Sequence, residues 1–190
     1  MKMRLDKDTT GMVGLLAGAV PMASIFIAIS VSPWFSFTNS FLSDLGGNVL
    51  SAVVFNTGLM AGGILGTIFA WGLYTNKIYR NEIGLKSFML ATVSLFFVGA
   101  FPLTTGWWHT APSVAFFLCS TLAMILIGWT ERKGKRFPWF IFILGIVSLA
   151  VAPLYGIPRP IGFNAITELV TSLAMAAFVL MTSLKLLTEP

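Results

Sequence analysis

The chain has 190 residues, of which 56% are hydrophobic and only 10% charged, whereas an ordinary soluble domain has roughly 45–50% apolar and about 25% charged residues. That composition excludes a water-facing globular surface, a disordered chain, a disulfide-rich scaffold and a coiled coil. The formal net charge of +5 raises nucleic acid as a partner, but the basic residues fall in short clusters between apolar runs with no basic helix face, so nucleic-acid binding is excluded too.

The first apolar run, residues 11–31, follows a charged N-terminal stretch and has the outline of a signal peptide. Its length argues otherwise, because a signal h-region has about 7–15 residues whereas about 20 are needed to cross a bilayer core of about 30 Å. The remaining runs are 48–73, 85–104, 112–129, 137–155 and 161–184. Lipid offers the backbone no hydrogen-bond partner, so each run should be helical. The expected fold is all-α: one transmembrane domain, residues 1–190, built as a bundle of six spanning helices. Six such runs use about 120 residues and leave about 70 for loops and tails, too few for a separate soluble domain.

The connections set the expected orientation. Lys2, Arg4 and Lys7, then Lys77, Arg80 and Lys86, then Arg132, Lys133, Lys135 and Arg136, and finally Lys185 all fall on one side; Arg159 alone falls on the other. The positive-inside rule places both termini in the cytoplasm of a multi-pass cell-membrane protein. The tryptophans agree, with Trp34, Trp107 and Trp108 at outer helix ends and Trp71, Trp129 and Trp139 at inner ends, the headgroup levels that indole rings prefer.

Within the second run, Gly58, Gly62 and Gly66 recur every four residues and form a groove for a close helix neighbour. The groove serves either packing within the bundle or a homodimer seam. Cys119, the single cysteine, lies in an apolar run; it forms no intrachain disulfide and reads as a small buried hydrophobe.

With the basic side set aside, Asp44, His109, Arg159 and Glu168 are the remaining Asp, Glu, His, Lys and Arg side chains, all near the outer boundary. Glu168 is expected about seven residues into helix six, about 10 Å along it at 1.5 Å per residue. A carboxyl there marks a function by default. Asn164 one turn above and Ser172 one turn below continue a polar stripe. Glu168 is read as a pocket acid, base or cation ligand, or as a structural carboxyl held by Arg159 or Asn56. His109 is a general base or proton relay, or a headgroup contact at the interface.

The connection from Thr38 to Asn48 is unusually polar and contains Asn39, Ser43 and Asp44. Asp44, Asn48 and, further on, Asn56 would share one helical line. Ser43 is either a nucleophile assisted by His109 or a cap on a short interfacial helix, and it lacks the Gly-x-Ser-x-Gly elbow. Arg159, between Pro158 and Pro160, would grip a phosphate or carboxylate headgroup or pair with Asp44 or Glu168.

The Asn39…Ser43-Asp44-Leu45-Gly46 segment, the following Phe55-Asn56-Thr57-Gly58 and His109 resemble a six-helix archaeal and bacterial membrane family of unknown function. That family is distantly similar to the alkaline ceramidase and progestin/adipoQ receptor superfamily, whose members use a membrane-embedded Ser, Asp and three-histidine zinc site to hydrolyse lipid amides. The resemblance implies Ser43, Asp44 and His109 as the matching positions. The chain departs from the pattern in having six runs rather than seven and one histidine rather than three, so no three-histidine zinc site forms and any metal would need His109 with Asp44 or Glu168. No cofactor follows from these residues.

The catalytic candidates are therefore Glu168, His109, Asp44 and Ser43, and the substrate-binding candidates Arg159, Asn56, Asn164 and Asn39. Three functions fit the pattern: a module binding a membrane lipid or small amphiphile at the outer face, a membrane-embedded hydrolase of a lipid-like substrate, and a small-solute or proton-coupled transporter.

Overall fold

A computed structural model describes residues 5–133, 136–151 and 164–189. The described residues form six α-helices, with no strand among them: α1 (Lys7–Ser30), α2 (Val49–Thr75), α3 (Glu82–Ala100), α4 (Trp107–Glu131), α5 (Arg136–Val151) and α6 (Ala165–Thr188). Short 3-10 turns at Leu42–Gly47 and Leu103–Thr105 precede α2 and α4. Five of the helices, all but α5, are long and apolar enough to cross a membrane. The 16 described residues of α5 fall short of that length, and the remainder of the expected run to residue 155 lies outside the described residues. Several apolar spans in one chain are the signature of a multi-pass membrane protein.

Local chemistry explains where the helices begin. Asp6 caps α1: its carboxylate accepts from the Thr9 amide at 2.7 Å and from the Thr9 hydroxyl at 2.9 Å, which starts the helix four residues before the expected boundary. The Thr9 amide and hydroxyl hold this carboxyl below its ordinary value. The α4 helix begins at Trp107 rather than residue 112, because Gly106 turns the chain in the left-handed region (φ 62°) at no steric cost. Pro112 therefore sits inside the helix instead of opening it. Asn164 caps α6, its side-chain oxygen accepting from the Ile166 and Thr167 amides.

Helices adjacent in sequence pack against one another, and α1 closes the ring against α6. The glycines permit this approach. A Cβ on Gly58 would lie 1.9 Å from Ser24 Oγ, one on Gly62 would lie 2.8 Å from the Pro21 ring, and one on Gly63 would lie 2.5 Å from the Phe96 backbone. The Gly58, Gly62 and Gly66 stripe is thus filled by α1 and α3 of the same chain, the packing alternative to the dimer seam.

Phe69, Phe88 and Phe178 form the aromatic centre, with Phe88 and Phe178 edge to face at 5.3 Å. Beyond it, toward the Lys185 end, the Tyr79 hydroxyl meets the Thr182 hydroxyl at 2.8 Å. Burial pushes the Tyr79 phenol above its ordinary value, so it stays protonated as a hydrogen-bonding group. The outer helix faces carry large apolar side chains such as Val53, Ile64 and Leu118, as a lipid-facing surface requires.

Candidate functional site at the His109 end

The connection from α1 to α2 folds back over the start of α6. Leu42 and Leu45 are buried beneath it, and Asn56 on α2 fastens its 3-10 turn by donating to the Gly46 carbonyl at 3.1 Å. Two backbone bonds sew it to α6: the Ala165 amide donates to the Ser40 carbonyl at 2.8 Å, and the Leu42 amide donates to the Glu168 carboxylate. The Ser43 amide also faces that carboxylate. Glu168 thereby caps the exposed amides of the Leu42–Gly47 turn from another helix. Asp44 caps the same turn from within by accepting from the Phe41 amide at 2.7 Å.

Glu168 is only 6% exposed and is the fourth residue of α6, about 6 Å along it at 1.5 Å per residue rather than the expected 10 Å. The ion pairs among the described residues, Lys86 with Glu82 and Lys185 with Glu189, both lie at the other end of the bundle. Buried carboxylates need partners to offset lost hydration; among the described residues Glu168 has backbone amides and no cation.

His109 is 4% exposed and stands in the first turn of α4. Its Nδ1 lies 2.7 Å from the Phe101 carbonyl at the end of α3. A carbonyl only accepts, so Nδ1 carries the proton and the lone pair of the neutral ring falls on Nε2. Nε2 has no hydrogen-bond partner among the described residues.

Both side chains open onto one cavity of about 370 Å³ between α4, α6 and the two connections. Ser43, Thr110 and Ser113 share its wall, and Phe41, Leu103, Val114, Phe117 and Leu118 make the rest apolar; Val114 and Leu118 are more than half exposed, so the cavity opens on the outer face of α4. A narrower cleft, also bordered by Ser43, His109, Ser113 and Glu168, leads from it toward Ser172 and Phe116 inside the bundle. Among the described residues no three His, Cys, Asp or Glu side chains stand close enough to share a metal ion.

A family model described as "Protein of unknown function (DUF998)" matches residues 15–185. The chain belongs to this family. No curated protein and no solved structure matches it. The match spans the Leu42–Gly47 turn, His109 and Glu168, so the cavity is built from segments that lie within the DUF998 region.

Of the sequence candidates, Ser43, His109 and Glu168 meet at the cavity. Asp44 lies close enough for its charge to act on Glu168 but is absent from the wall. Asn56 and Asn164 serve as a turn anchor and a helix cap. The alternative in which Asn56 holds Glu168 is corrected: the Asn56 amide goes to Gly46, and the Leu42 amide goes to Glu168. Asn39 is exposed in the connection, with its amide toward Ser36 and Thr38. Arg159 lies outside the described residues. Sequence reasoning missed Ser113, which follows His109 by one helical turn; an α4 started at Trp107 would have placed both on one face.

Proposed function

We propose that this protein binds a single membrane-derived amphiphile in the cavity at the His109 end, with the polar head against Ser43, His109 and Glu168 and the chain along the apolar wall. The observation that carries this reading is the junction of polar side chains, Ser43, His109, Thr110, Ser113 and Glu168, with an apolar wall in one cavity large enough for part of a lipid. A ligand site of this kind has few placed polar groups in a hydrophobic wall. The reading is of a cell-membrane protein with six spans, both termini cytoplasmic and the cavity at the outer face. The basic residues at the Lys185 end support that orientation.

Lipid extracted from protein purified in nanodiscs tests the proposal by mass spectrometry. Wild type should retain one amphiphile class in fixed ratio, and Val114→Trp, which fills the wall, should lose it. Identical lipid content in both proteins would overturn the proposal.

One feature favours a second reading, a hydrolase. The Phe101 carbonyl takes His109 Nδ1 and leaves Nε2 as the ring's lone-pair nitrogen, in a side chain that lines one cavity with Ser43 and Glu168, as a general base needs. Ser43, Asp44 and His109 are also the positions matched by the resemblance to the alkaline ceramidase and progestin/adipoQ receptor superfamily. Product formed from a host lipid extract by wild type and lost in His109→Gln would establish it; intact lipid in both would exclude turnover of those lipids.

A further inference from the structure

The polar lining of the cavity specifies the charge of the head it takes. Among the described residues, Glu168 is a buried carboxyl with no cation partner, held by the Leu42 amide and faced by that of Ser43. His109 is buried too, and its Nδ1 is committed to the Phe101 carbonyl, so the neutral ring presents an acceptor at Nε2. The Ser113 hydroxyl donates to the His109 carbonyl and the Thr110 hydroxyl to the Gly106 carbonyl, which leaves their oxygens as acceptors as well. The wall is therefore rich in acceptors, and a cation beside Glu168 is the partner that would let this buried carboxyl carry its charge.

Resting on the amphiphile reading above, we infer that the ligand is a long-chain primary amine, its ammonium held between the Glu168 carboxylate and His109 Nε2. An ammonium has three donors and no acceptor, which matches these groups. It supplies the charge that Glu168 lacks among the described residues, while the chain replaces empty space against Phe117 and Leu118. A carboxylate or phosphate head in the same place would find no Lys or Arg in the described wall to pair with.

The test uses the full chain in nanodiscs of zwitterionic lipid, with dodecylamine, dodecanol and dodecanoic acid as probes of one chain length. Native mass spectrometry counts bound probe against Val114→Trp as the background of membrane partitioning. The amine should bind about tenfold or more tighter than the acid, with the alcohol between them. Glu168→Gln should erase the preference for the amine over the alcohol while the alcohol still binds, which shows the cavity intact. Wild type binding the acid as tightly as the amine overturns the inference without any variant, and so does an amine preference that survives in Glu168→Gln. Alcohol binding above background alongside either result leaves the amphiphile site standing; no binding by any of the three probes overturns that site and this inference together.

Discussion

The two side chains that define the cavity are each half occupied by the backbone. Glu168 holds the Leu42 amide and His109 holds the Phe101 carbonyl, so each is fixed in orientation by a group 8 or more positions away in the chain. Removing the carboxyl leaves a buried amide without an acceptor, at a cost of about 1–3 kcal/mol. Glu168→Ala is therefore expected to lower thermal stability by that amount and to raise hydrogen exchange at the Leu42 amide. Glu168→Gln keeps a carbonyl acceptor and should leave that amide protected. Equal protection in both variants would show that the carboxyl does not hold the connection. At the other end, the Asp6 cap depends on pH. Its folded pKa is depressed by Thr9, so its contribution to the α1 cap is present above the ordinary value of 3.8 and is lost as pH falls through the lower folded value. Protection of the Thr9 amide, taken relative to its intrinsic exchange rate, should fall over that acidic window in wild type and be low at every pH in Asp6→Ala. Glu168 was legible as a lone carboxyl near a helix start, but its partner is a backbone amide 126 positions away, which side-chain patterns do not reveal.

The helices followed from run length, because lipid leaves a long apolar stretch no other backbone arrangement. Their ends did not, and the reasons are local. The apolar run opens at residue 112, yet the left-handed turn at Gly106 opens α4 at Trp107 and carries His109 into its first turn. The five-residue difference decides which face of α4 His109 shares with Ser113 and hence whether a site is seen. The glycine stripe was legible as close packing, and the contacts name its neighbours. Gly63→Ala should push a methyl against the Phe96 backbone, 2.5 Å away, and cost about 1–3 kcal/mol as an overpacked interface. Gly47→Ala meets nothing within 4 Å and should leave the melting temperature unchanged. A pair of thermal melts in detergent checks the contrast, and equal losses would contradict the packing described.

At the level of the molecule, the bundle has unlike ends. Lys7, Lys77, Lys86 and Lys185 gather at one, while Ser43, His109 and Glu168 surround the cavity at the other. The positive-inside rule turns that asymmetry into an orientation. In a Cys119→Ala background, a cysteine at Gly47 should react with a membrane-impermeant maleimide added to intact cells, and one at Glu82 should react only after the membrane is opened. The reverse pattern would invert the protein and place the cavity in the cytoplasmic leaflet. The central claim is that a single amphiphile occupies this cavity, and a density map of the protein in nanodiscs made from its host lipids tests it most directly. Elongated density running along Phe117 and Leu118 and ending within hydrogen-bond reach of His109 Nε2 and Glu168 is the predicted result. A cavity holding only water, or closed by its own side chains, would contradict it.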